Sequence, residues 1–204
     1  MQPQQSRAAF ANWQEHAEEQ FYKLKTNEEE LNRIFIEIYG LENELASDVP
    51  EGDVTINKAD RERDIKSFIS YAVGCILGRY SLDEAELIYA GGDLQPERYA
   101  TFPRRHLSDG GWRLLPRRHC GTVREVFVKA TFGEATLWEN LEYIAATLCK
   151  RNLEGPWECI RRYFLKDFYR EHVNTYQKRP IYWLFTSKNE TFGALVYLHR
   201  YDRD

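Results

Sequence analysis

The sequence predicts a mainly α fold: a helical, spacer-like bundle closed by a small C-terminal β-hairpin. Two observations lead there. Apolar residues recur at spacings of three and four in several separate segments as far as His172, and beyond that point the period changes to two short β-prone runs around a polar stretch. The glycine pairs Gly91-Gly92 and Gly110-Gly111 complete no phosphate-binding fingerprint, which argues against an α/β nucleotide-binding core.

From Gln5 to Lys25, the residues Trp13, Ala17, Phe21 and Leu24 fall on one helical face. Thr26 followed by Glu28-Glu29-Glu30 reads as a capping box and predicts that a second helix begins there. Leu31, Ile34, Phe35 and Ile38 form its apolar stripe, and Gly40 is its stop. Residues Ala46 to Asn57 contain Pro50, Gly52 and acids, the composition of a surface connection. A third helix is expected over Lys58 to Tyr80, central and buried, with Gly74 and Gly78 four residues apart on it for close packing. Thr136 to Lys150 and Glu158 to His172 read as two further helices. Ile181 to Phe185 and Ala194 to Leu198 read as the strands of the hairpin. The first-half core is placed on Leu31, Ile34, Phe35, Ile65, Phe68, Ile69, Val73 and Ile76.

With 204 residues and 43% apolar composition the chain can bury a real core, and thirteen Tyr, eleven Phe and five Trp make rings its main packing material. A formal charge of −4 excludes a protein that coats itself with nucleic acid through bulk electrostatics, so any DNA contact has to be local. No stretch approaches the roughly 20 apolar residues of a membrane span, and the start resembles no signal peptide, so no membrane partner and a cytoplasmic location are expected. Cys75, Cys120, Cys149 and Cys159 are irregularly spaced and read as reduced, small core hydrophobes.

The residues offer no complete catalytic, cofactor or metal site. Glu28, Glu29 and Glu30 point in different directions around a helix, and no two of the five histidines have the spacing of a helical zinc site. The most informative polar cluster is Tyr176-Gln177-Lys178-Arg179-Pro180-Ile181-Tyr182-Trp183. Two cations before a proline, followed by rings, suit a phosphate held by Lys178 and Arg179 with Tyr182 leaning on a base or sugar. The same residues also suit cations at the negative end of a helix and rings in a strand core. Both readings stand at this level.

Three runs resemble a known family: Asn27 to Leu41, Asp64 to Asp83, and Arg161 to Phe168 together with Lys178 to Phe185. They are similar to the region just beyond the catalytic domain of PglX, the adenine-specific DNA methyltransferases of bacteriophage-exclusion (BREX) defence systems. The likeness covers about Trp13 to Asp204. It implies a parent enzyme that moves a methyl group from S-adenosylmethionine to adenine N6 in double-stranded DNA. The family's glycine-containing cofactor motif and Asn-Pro-Pro-Tyr motif, which holds the flipped adenine, lie upstream of this region and neither occurs here, so no catalytic or cofactor-binding residue carries over. The matched part is the spacer leading to target recognition. Its expected partners are a catalytic methyltransferase domain, in the same or another chain, DNA through the parent protein, and other BREX components. The alternative is a stand-alone protein- or nucleic-acid-binding module of a defence system.

One segment departs from the family pattern. Residues 104 to 124 hold six arginines, including Arg104, Arg105, Arg117 and Arg118, and a single acid, Asp109, where the family is acidic. An abrupt, bounded change of this kind is what a shifted reading frame produces. With the frame intact, these arginines are candidate phosphate contacts. The chain therefore divides into a helical region over 1–100, an atypical basic loop over 101–125, and two helices followed by a β-hairpin over 126–204.

Overall fold

The computed structural model describes residues 6–101, 127–149, 155–187 and 193–200. Six α-helices and a two-stranded antiparallel sheet are found among them, a mainly α fold with a C-terminal hairpin. The chain forms two compact units, one of Arg7–Asp64 and one of Ile65–Asp204 with Met1–Ser6.

The smaller unit is built on α1 (Ser6–Tyr39), which continues unbroken through Thr26 where one helix was expected to end and another to begin. No Gly or Pro interrupts these residues, and Glu29, the expected capping acid, instead pairs with Lys25 one turn back. Glu29 also accepts the backbone N–H of Val49 at 3.2 Å, while Thr55 donates to Glu28 at 2.9 Å, so the chain returning after α1 is fastened along it. Lys58 closes this return: it donates to Tyr22 Oη and Glu51 Oε2, both at 2.9 Å, and sits 4.8 Å and 4.7 Å from the ring centroids of Phe21 and Tyr22. Those hydrogen bonds hold its ammonium pKa above the usual lysine range. Beneath it Ala17, Phe21 and Val54 are buried.

Gly40 ends α1 as expected, by a specific geometry. It has φ +66°, its N–H reaches Glu37 O, and Leu41 N reaches Ile36 O at 2.9 Å, the paired bonds of a Schellman motif. The stripe before it is not core. Leu31, Ile34, Phe35 and Ile38 are 54%, 37%, 56% and 67% exposed, while the returning chain bonds to Glu28, Glu29 and Asn32 of α1, which are not part of that stripe.

In the larger unit the core rests on α2 (Arg61–Ile76), whose Ile65, Ile69, Ala72, Val73 and Ile76 are buried as the helical period requires, with Phe68 packed at their edge. Asp60 caps its start by accepting Arg63 N at 2.7 Å. Its end repeats the device seen in α1. Gly78 at φ +78° donates to Cys75 O at 3.1 Å and Arg79 N donates to Gly74 O at 2.8 Å, so the expected helix stops at Ile76 and Arg79 is turned out of its axis. Gly74 is buried because the Tyr80 ring lies directly over it.

Against α2 pack α3 (Val128–Phe132), α4 (Leu137–Leu148), α5 (Pro156–Lys166) and α6 (Phe168–Thr175) through Val128, Leu141, Ile144, Ile160, Phe164 and Phe168. The single helix expected over Glu158 to His172 is two, divided at Asp167, whose carboxylate takes a hydrogen bond from Arg170 at 2.5 Å. Pro156 opens α5 at a first-turn position where its missing N–H costs nothing. Cys149 at the end of α4 and Cys159 in the first turn of α5 are joined by a disulfide across a Cα–Cα distance of 6.1 Å, which corrects the expectation of reduced thiols at both. Their spacing of ten residues carried no such signal; the packing of α4 on α5 brings them together. Cys75 is buried and free, and burial pushes its thiol up to about 11.

The strands are β1 (Tyr182–Thr186) and β2 (Gly193–Tyr197), within one residue of expectation. They pair Tyr182 with Tyr197 and Leu184 with Leu195 on the inner face, and Trp183 with Val196 and Phe185 with Ala194 on the outer.

Gly74→Ala tests the packing at the end of α2. Alanine in a helix interior normally gains about 1 kcal/mol over glycine. Here the added Cβ would run into the Tyr80 ring, so thermal or urea unfolding is expected to show a net loss of about 1–3 kcal/mol.

Candidate nucleic-acid interface

The turn that carries the expected cations follows from the end of α6. Gln177 N donates to Asn174 O at 3.0 Å and Lys178 N to Val173 O at 2.8 Å, a third Schellman motif, with a glutamine where glycine is usual. Gln177 and Lys178 have φ +50° and +64°, so two consecutive side-chain-bearing residues sit in the left-handed region at a cost of about 1 kcal/mol or more each. Arg179 N closes the turn on Tyr176 O at 2.8 Å. Lys178 and Arg179 are exposed and lie on this turn, immediately before β1.

Tyr182 is placed differently from the two cations. It is 1% exposed, with His172 stacked 4.7 Å from its ring and Tyr197 edge-on at 5.6 Å, so it joins the hairpin to α6 and presents no open face. The exposed rings of β1 are its neighbours Trp183 and Phe185, half-exposed on the outer face with centroids 6.4 Å apart. Arg104, Arg105, Arg117 and Arg118 lie outside the described residues.

Sequence reasoning did not single out Arg79, which the end of α2 directs into a ring of tyrosines. Its Nη1 donates to Tyr197 Oη at 3.0 Å and its Nε to Tyr80 Oη at 3.2 Å, with the guanidinium 5.4 Å and 6.0 Å from the centroids of the Tyr80 and Tyr197 rings. Tyr197 passes the bond on to Tyr89 O at 2.7 Å, and Tyr89 Oη donates to His199 O at 3.0 Å. Burial works against the charge of Arg79, and the hydrogen bonds to Tyr80 and Tyr197 outweigh it, so its pKa lies above the ordinary value. Its hydroxyl partners bring no formal negative charge. Burial raises the phenols of Tyr182, Tyr197 and Tyr176 and keeps them neutral beside it. The Gly78-Arg79 pair after a long apolar face was the available signal, since a Schellman end fixes where the following residue points.

His172 lies under this cluster, 4% exposed. Its Nε2 accepts Ile181 N at 3.2 Å, which holds the start of β1 against α6, and its Nδ1 finds no partner among the described residues. Burial first, and then the charge of Arg79, lower its pKa from 6.5 to about 4. It stays a neutral acceptor, because a protonated ring could not take the Ile181 bond. Lys66 and Tyr163 converge on Glu171 at 2.7 Å each and tie α2, α5 and α6 together beside it.

Among the described residues, no group of three or more His, Cys, Asp or Glu is placed to hold a metal ion, and no helix is long and apolar enough to cross a membrane. Fold and site together define a class: a mainly helical module with cations and exposed rings at its C-terminal hairpin. No model of a known protein family matches the chain. It is, however, 48% identical over 97% of its length to the adenine-specific methyltransferase PglX of Lacticaseibacillus casei (strain Zhang), and 36% identical over 97% to the adenine-specific methyltransferase BrxX of Escherichia coli O9:H4 (strain HS). The chain is thus a homologue of one stretch of these methyltransferases, spanning 17% and 19% of their respective lengths.

Two outcomes follow from the turn and the histidine beneath it. Because the folded pKa of His172 is depressed, the unfolded chain takes up a proton that the folded one refuses. Its contribution is complete above pH 6.5 and is lost as pH falls toward about 4. Urea titrations are expected to show roughly 2–3 kcal/mol of lost stability across that window, and His172→Gln, which keeps an acceptor for Ile181, should remove that part of the slope. Gln177→Gly relieves the left-handed strain and should raise stability by about 1 kcal/mol.

Proposed function

We propose that the chain is the non-catalytic spacer leading to target recognition in a PglX-like, site-specific adenine-N6 DNA methyltransferase of a BREX phage-defence system. The observation that carries this reading is that similarity to two adenine-specific methyltransferases runs through 97% of the chain while covering less than a fifth of either relative. The chemistry belongs, on this reading, to a catalytic methyltransferase part joined to or bound by this one, where S-adenosylmethionine supplies the methyl group. Two of the reactive side-chain types present support this: the thiol of Cys75 is buried, and His172 is a neutral acceptor for the Ile181 backbone.

Double-stranded DNA is the partner at the C-terminal turn. Lys178 and Arg179 contact phosphate, and the exposed rings of Trp183 and Phe185 lie against sugar or base, the part first expected of Tyr182. The strained turn supports this use, because two left-handed side-chain-bearing residues hold both cations at one fixed edge.

The test is a chimaera in which this chain replaces its homologous stretch in the Lacticaseibacillus casei PglX. Adenine methylation of the host's sites should persist in the chimaera, and its loss in a chimaera that folds would overturn the spacer reading. Replacing Lys178 and Arg179 together by Ala should lower the slope of log affinity against log salt for duplex DNA by about 0.9 for each phosphate that is no longer neutralised. An unchanged slope would remove the turn from the interface.

A further inference from the structure

The last turns of α1 carry an apolar face that the described chain leaves bare. Leu31, Ile34, Phe35 and Ile38 follow each other at helical spacing, and three of the four are more than half exposed. Tyr39 beside them is 69% exposed. A ridge of large side chains this continuous is uncommon on a surface that meets only water, where single apolar residues are the rule. The helix is not weakly specified here: Arg33 pairs with Glu30 at 2.6 Å and with Glu37 at 3.6 Å, and the Schellman motif at Gly40 fixes its end. The stripe is therefore held in shape before anything covers it.

Charge narrows what can cover it. Between Asn27 and Leu45 the acids are Glu28, Glu29, Glu30, Glu37, Glu42 and Glu44; Glu29 is taken by Lys25 and the returning chain, and the segment's single cation, Arg33, is shared by Glu30 and Glu37, which leaves the segment net acidic. An acidic rim around an apolar ridge repels DNA phosphates and fits an apolar groove edged by Lys or Arg on a protein. A second copy of this chain would bring the same acidic rim against the first. More than four fifths of the length of each related methyltransferase lies outside the stretch that this chain matches, so a large protein surface is available to supply that groove.

We infer that the face formed by Leu31, Ile34, Phe35 and Ile38 is the docking surface for the remainder of the methyltransferase polypeptide, received in an apolar groove with a basic rim. The inference rests on the proposed spacer role and adds to it the element through which the spacer is held. Docking by a helix face of this kind reads as anchors at positions i, i+3, i+4 and i+7.

The experiment labels a cysteine placed at the ridge. Phe35→Cys, in a Cys120→Ser background, is reacted with a maleimide in the separate 204-residue chain and in the chimaera with the Lacticaseibacillus casei PglX. The expected result is a labelling rate at least tenfold slower in the chimaera. Equal rates would overturn the inference, as would a dimeric separate chain that is already protected at position 35. A second pair, Leu31→Gln with Phe35→Gln, should leave the melting temperature of the separate chain within about 2 °C, because exposed substitutions away from caps and cores act weakly; a large drop would show the face packed within this chain instead. Methylation by the chimaera is scored separately. Protection without methylation leaves the docking face and removes the functional reading, and methylation without protection does the reverse.

Discussion

The larger unit depends on one junction, where the end of α2 meets the hairpin through a charged arginine set among tyrosines. Gly78 takes a left-handed conformation that most residues avoid, the helix stops, and Arg79 turns toward Tyr80 and Tyr197. Tyr197 is paired with Tyr182 across the sheet, and Tyr182 stacks on His172 of α6. A helix end, a hairpin and a second helix are thus tied by packed rings, two of which, Tyr80 and Tyr197, bond to one cation through their hydroxyls. Neutral phenols suit this place, since a carboxylate would neutralise the guanidinium but need its own desolvation compensated.

Parts of this were open to sequence reasoning and parts were not, for identifiable reasons. The α2 core, from Ile65 through Ile76, follows from helical period, because those positions face other helices in the same unit. The hairpin follows from β-prone runs on either side of a polar stretch. Leu31, Ile34 and Phe35 show the same period and are exposed, since periodicity reveals an apolar face without revealing whether its cover lies in the chain. The break expected at Thr26 fails because a capping box competes with helix continuation, and Glu29 is taken by Lys25 instead. The tyrosine partners of Arg79 and the Cys149–Cys159 pair are matters of tertiary placement that spacing along the chain does not encode.

The candidate interface follows the same division. Lys178 and Arg179 are exposed at the turn where the composition placed them, but alternation along β1 turns Tyr182 inward and Trp183 and Phe185 outward. Together with the bare ridge of α1, this gives the chain two surfaces of opposite character: a cationic, aromatic edge in one unit and an acidic-rimmed apolar face in the other. On the proposed reading, the first meets a nucleic acid and the second a protein.

On the proposed reading, this chain supports a methyltransferase without holding its cofactor. Calorimetric titration of the separate 204-residue chain with S-adenosylmethionine tests it most directly. No saturable heat is expected at ligand concentrations up to the millimolar range. Saturable binding with a micromolar Kd would contradict it and place the cofactor site within these residues.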